Sequence, residues 1–280
     1  MRVLVLATAT DRLGPRLAGG VVGQAFARRG HQVAVVPMAE RADQLASALA
    51  DLSESTACLV PASARATELA AAVRAQASAG ATTVLVDLSA DVALDLAASG
   101  AAPVVGIDLI GVVSADQLTL PLVGVRGVAA RAGFASGEDR AQVLARDAAY
   151  AQLAERLQVE PGPGAGAAGG GGLLVLALGG RLASAPQVLA ELSGLEHSLA
   201  QADLVVLVMA ALDFGGTGVA LARVVAGWAE SAAVACIVVA ERMVVSAREL
   251  RSWGIESGYG LTPGDDLVAL ARRVAATWSW

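Results

Sequence analysis

The chain has 280 residues, enough for two domains and a substantial core, and 55% of them are hydrophobic while only 3% are aromatic, so that core is built from Ala, Val and Leu. A formal net charge of −6 argues against nucleic acid or an anionic membrane as a partner. No apolar run approaches the ~20 residues of a membrane span, and Cys58 and Cys236 form neither a disulfide framework nor a metal motif, so a cytoplasmic protein is expected.

In chain order, short apolar runs alternate with Ala-rich helical stretches. The pattern predicts a strand over 2–7, a helix over 16–28 closed by Gly30, a strand over 32–36 and a helix over 40–52. A strand over 58–60, a helix over 67–78 and a strand over 83–88 follow. Residues 103–133, rich in Val, Gly and Leu without clean periodicity, predict short strands, and 137–157 one long helix. Beyond the glycine-rich stretch come a helix over 185–199, a buried strand over 204–209, a helix over 218–230, a strand over 234–240 and a closing helix over 263–276. Strands separated by helices at this spacing mean parallel sheets covered on both faces.

The stretch PGPGAGAAGGGGLLVLALGG holds four consecutive glycines, Gly169 to Gly172. Ordering them costs more backbone entropy than ordering other residues. Two readings stand side by side: a backbone brought close to an anionic ligand, or a linker opened by Pro-Gly-Pro-Gly. No G-x-x-x-x-G-K-S/T follows, which excludes a P-loop.

Ligands of open α/β sheets sit at the carboxyl ends of the strands. There the sequence places Asp11 and Arg12 after the first strand, and Glu40 and Asp43 after the second, on one helical face at i, i+3. Asp87, Asp91 and Asp95 follow the apolar run Val84–Val86, and Asp213 follows the strand at 204–209. Several such carboxylates together would suit Mg²⁺; singly, each also belongs in a first helical turn, where the dipole favours it. His31 and His197 have no Ser or Cys neighbour in sequence that makes a catalytic triad. The chain contains no lysine; all 20 of its basic residues are arginine, so no ammonium serves a phosphate. Trp278 and Trp280 read as packing or tail residues, with docking on a second copy as the other possibility.

Two segments carry a family resemblance. PGPGAGAAGGGGLLVLALGGRL resembles the P-G-A-G-A-A-G-G-L-G-x-G-L-L-A-L stretch of the two-domain bacterial type I glycerate kinases, and GLEHSLAQADLVVLVMAALD resembles their G-L-x-E-A-L-x-G-A-D-L-V-I-T-G-E-G-R-L-D. Weaker matches in the same order, among them VLVLATATDRLGPRLA, GHQVAVVPMAERADQL and LPLVGVRGVAA, extend it over most of the chain. The resemblance implies a Rossmann-like parallel-sheet domain formed by both chain ends, 1–56 and 200–280, with a second α/β domain inserted at 57–199 and the active site between them. It implies ATP- and Mg²⁺-dependent phosphorylation of D-glycerate. Arg12, Glu40, Asp43, Asp95 and Asp213 then stand at the catalytic positions, and Gly164, Gly166, Gly169 and Gly170 at the nucleotide.

The departures are as informative. Arg12 stands where the family has lysine; D-G-G-E-G-T keeps only its charge, as Glu40 and Asp43; G-G-S-A-T-N-D becomes S-A-D-V-A-L-D, leaving Asp95; and G-E-G-R-L-D becomes V-M-A-A-L-D, leaving Asp213. One lost phosphate-stabilising donor costs about 10²–10³ in rate, so loss or great weakening of the kinase is expected. The alternative is a pseudo-kinase that binds a metabolite, such as glycerate or a nucleotide, or a partner protein.

Overall fold

A computed structural model describes residues 1–52, 56–94, 102–214, 216 and 218–279. In chain order the elements are β1 (Arg2–Ala7), α1 (Pro15–Ala27), β2 (Gln32–Pro37), α2 (Leu45–Asp51), β3 (Cys58–Val60), α3 (Ala66–Ser78), β4 (Thr83–Asp87) and β5 (Asp108–Val113). Then come α4 (Val128–Ser136), α5 (Arg140–Leu157), α6 (Gly171–Ala177), β6 (Arg181–Ser184), α7 (Ala185–Leu192) and α8 (Leu195–Leu199). The chain closes with β7 (Leu204–Leu212), α9 (Val219–Ser231), β8 (Ala235–Met243), α10 (Ala247–Ser252), β9 (Ser257–Gly260) and α11 (Leu267–Thr277). Two compact units result, one of residues 1–40, 44–55 and 186–280, the other of 41–43 and 56–185. No described helix is long and apolar enough to cross a membrane.

The first unit is a five-stranded sheet in the order β2-β1-β7-β8-β9, parallel throughout. The central strands β1 and β7 are near-continuous apolar runs because both faces are covered. Val3, Val5, Val206, Val208, Ile237 and Val239 share one core with Ala18, Val22 and Phe26 of α1 and with Leu270 and Val274 of α11. The α1 helix lies close against the sheet because Gly19 and Gly23 face it. A Cβ at Gly19 would come within 2.5 Å of Val35, and one at Gly23 within 2.9 Å of Val33.

The second unit is a four-stranded parallel sheet in the order β3-β4-β5-β6. Val84, Val86, Leu109 and Val113 pack with Leu69 and Val73 of α3 and with Leu174, Val175 and Leu178 of the glycine-rich segment. A smaller cluster of Leu122, Leu153, Ala165 and Leu173 holds α5 against the unit.

Several elements differ from the sequence pattern, each for a local reason. The helix expected from residue 40 starts at Leu45 after a tight turn at Ala42–Gln44, so Glu40 and Asp43 do not share a helical face. Residues 103–133 hold one strand, a tight turn at Ala115–Thr119 and α4, rather than several short strands. The long helix at 137–157 begins only at Arg140, because Gly137 caps α4 in the left-handed region and Asp139 caps α5 through the Ala141 N–H. The helix at 185–199 breaks at Gly194, again left-handed. The four-residue strands β6 (RLAS) and β9 (SGYG) carry no run of apolar residues, so the pattern does not mark them.

Candidate functional site

The strand order of the first unit's parallel sheet reverses between β1 and β7: the chain goes from β1 to β2 on one side and from β7 to β8 on the other. Such a switch point opens a crevice at the carboxyl ends of the strands. Here the crevice is divided. The β1 strand ends at Ala7 opposite Val208, and β9 ends opposite Ala240, but β7 and β8 stay paired out to Leu212 and Met243. The paired ends of β7 and β8 thus overhang β1 by four residues, Met209–Leu212, and β9 by three, Glu241–Met243, or roughly 13 and 10 Å at ~3.3 Å per residue. Ala210 and Ala211 line a cavity of about 170 Å³ on one side and one of about 530 Å³ on the other. The sign in the sequence was the apolar run VMAAL continuing past residue 209, where the expected strand ended.

The smaller cavity contains Thr8, Met38, Glu40, Ser47 and Gly218 in its wall. Both oxygens of the Glu40 carboxylate accept the Gly218 N–H, at 3.1 and 3.2 Å, and the Glu40 N–H donates to Gln44 Oε1 at 3.1 Å. Gly218 is the N-cap of α9 with φ 76°, and a Cβ there would stand 2.5 Å from the Ala211 carbonyl, so glycine is required. The carboxylate is therefore placed at the positive end of a 13-residue helix.

The larger cavity is lined by Asp11, Arg12, Glu241, Arg242, Asp265 and Asp266 among others. Arg12 is exposed. The Asp11 N–H donates to Glu241 Oε2 at 3.0 Å. Asp265 accepts from the Thr262 hydroxyl and from Arg273 Nη2 at 2.7 Å, and these bonds hold its carboxyl down at about 2. Asp213, at the end of β7, forms an ion pair with Arg242 at 2.8 Å and its side chain is only 16% exposed.

Of the other expected site residues, Asp43 and the four glycines belong to the second unit, and Asp95 falls outside the described residues. Asp43 accepts from Arg41 at 3.0 and 2.7 Å in an exposed pair. The glycines of the second unit are tightly packed: Gly164, Gly166 and Gly170 are buried and Gly169 half-buried. A Cβ on Gly166 would run into the Pro121 carbonyl, one on Gly170 into Leu94, and one on Gly169 would stand 3.1 Å from Asp91. Three backbone donors of the segment are taken within the protein, Gly166 N–H by Leu120 O, Ala167 N–H by Gly164 O and Ala168 N–H by Gln117 Oε1. Among the described residues no three His, Cys, Asp or Glu side chains are grouped as metal ligands. His31 does meet a serine, Ser279 Oγ at 2.8 Å, but that hydroxyl also bonds the Ala275 carbonyl and ties down the chain's end. His197 bonds Gln201.

No curated protein matches the chain in sequence. Among solved structures, a protein from Salmonella typhimurium LT2 designated a candidate glycerate kinase 2 superposes with a TM-score of 0.75 over 99% of this chain and 98% of its own, at 16% identity, which establishes the fold. A sugar ABC transport substrate-binding protein from Bordetella parapertussis 12822 (14% identity, 98% of this chain, 77% of its own) and a dimeric Lac repressor (12%, 99% and 89%) both score 0.17 and carry no weight. The sequence pattern of the Glycerate kinase family matches residues 99–278, well over half of the chain, and the chain belongs to that family.

Proposed function

We propose that this chain is a glycerate kinase family protein in which ATP-dependent phosphorylation of D-glycerate is lost or greatly weakened. Phosphoryl transfer is catalysed almost entirely by positioning and by charge on the transferring group. The observation that carries the reading is the β7–β8 ribbon. The two glycines of the family's G-E-G-R-L-D correspond to Val208 and Ala210, both inside a continuous strand, and the surviving Asp213 is paired with Arg242. The donor set also fits Mg²⁺-ATP poorly: among the described residues the carboxylates do not converge in threes, and no lysine exists to meet a phosphate.

A coupled ADP assay with Mg²⁺-ATP and D-glycerate tests the proposal. Turnover well under the ~1–100 s⁻¹ usual for kinases is expected. Brisk, glycerate-dependent ADP formation that falls in Asp213→Ala overturns it. The small cavity beside Glu40 favours a second reading, a non-catalytic relative that binds a metabolite. Under it, some ligand other than ATP raises the melting temperature without turnover.

A further inference from the structure

We infer that a groove in the first unit, formed by α7, α8 and the end of α9, binds an organic cation with an apolar body, such as an alkylated ammonium. Its volume is about 690 Å³, within the ~300–1,000 Å³ of pockets for drug-sized ligands, and all its lining residues belong to the first unit. Leu199 and Ala200 stand just before β7, and Trp228, Ser231 and Ala232 end α9 just before β8. The groove therefore lies toward the amino ends of these strands, away from the crevice at their carboxyl ends. Its ligand is independent of any kinase activity.

The floor is apolar: Leu195 and Leu199 are buried, while Ala190, Trp228 and Ala232 are half-buried. Among the described lining residues the charged ones are Glu191 and Glu196, and none is basic. Glu196 is exposed, and its carboxylate has no hydrogen bond or ion pair among the described residues, so it is the group that meets the ligand's charge. The Ser231 hydroxyl gives its proton to the Gly227 carbonyl at 2.8 Å and has lone pairs left to offer. Helix α9 also supplies a comparison between two tryptophans. Its Arg223 sits over Trp253, 4.9 Å from the ring centroid, whereas no described cation sits over Trp228. A cation held over an indole face and near a carboxylate gains an attraction that a neutral or anionic ligand does not share. An apolar body attached to it covers the alanines and leucines of the floor. Charge and ring together select a cation over the other occupants of an apolar groove.

Titration calorimetry and tryptophan fluorescence of the full chain test this with hexyltrimethylammonium, hexanol and hexanesulfonate at matched ionic strength. The three share an apolar body and differ in charge. Wild type is expected to bind the cation saturably and at least about tenfold more tightly than either of the others. Glu196→Gln should weaken the cation about two- to fivefold and leave hexanol unchanged. Trp228→Leu should weaken it by a similar factor and remove the fluorescence response. Hexanol or hexanesulfonate binding as tightly as the cation overturns the inference, as does the absence of saturable binding at millimolar concentration. Unchanged cation affinity in Glu196→Gln does so too; that residue is exposed, so the comparison stands even if Trp228→Leu fails to fold. Sedimentation covers the remaining occupant. A wild-type dimer that Trp228→Arg dissociates makes the groove an interface between two copies and overturns the small-ligand assignment.

Discussion

The Glu40 carboxylate and the Gly218 amide, 178 residues apart in sequence, meet with both oxygens on one N–H at 3.1 and 3.2 Å. The bond ties the end of β2 to the start of α9. It also puts a fixed negative charge where the helix favours one. Gly218 is buried, so Glu40→Ala leaves a donor without its partner and is expected to cost about 1–3 kcal/mol. Amide hydrogen exchange reads this directly: the Gly218 N–H should lose protection in the variant, with the β1 and β7 amides least affected.

Helix α1 offers a contrast between glycines. Gly20 has nothing within 4 Å of the position a Cβ would take, whereas Gly23 faces Val33 at 2.9 Å. Gly20→Ala should therefore stabilise by about 0.5–1 kcal/mol, and Gly23→Ala should destabilise by about 1–3 kcal/mol. Urea midpoints of the two variants should move in opposite directions.

In the second unit, Gly166→Ala drives a methyl group into the Pro121 carbonyl. Backbone cannot move aside as a flexible side chain does, so a loss of about 3 kcal/mol or more is expected. Unfolding followed by circular dichroism measures it. A neutral outcome would show that this segment is looser than its buried hydrogen bonds imply.

Asp265 gives a pH signature. Its bonds to Arg273 and Thr262 lower the carboxyl from 3.8 to about 2. A depressed acid contributes stability that is complete above the unfolded value and is lost as pH falls through the folded one. The stability gap between wild type and Asp265→Asn should be constant near neutrality and close between about pH 4 and pH 2. A gap that persists at pH 2 would place the interaction elsewhere.

Cysteine chemistry separates two environments. Cys236 lies buried in β8 and burial pushes its thiol up to about 12, while Cys58 is half-buried. The thiolate is the reactive form, so a disulfide reagent should titrate one thiol in the native protein and two in urea. Mass spectrometry should place the first adduct on Cys58.

What the sequence determined by itself was the alternation of buried strands and helices, since uninterrupted apolar runs such as 2–7 and 204–209 state directly that both sheet faces are covered. The quoted motifs, above all PGPGAGAAGGGG and QADLVVLVMAALD, likewise sufficed for the family. Tertiary structure alone decided where those residues point. Glu40 lies before α2 rather than in it, and its carboxylate meets the Gly218 N–H; no local pattern encodes a partner 178 positions away. The glycines at 164–170 became packing positions in the second unit because Pro121, Leu94 and Leu182 come close to them. The overhang of β7 depended on β8 offering ladder partners as far as Met243. Periodicity reports which face a residue buries; which other segment meets that face is set only when the whole chain has packed.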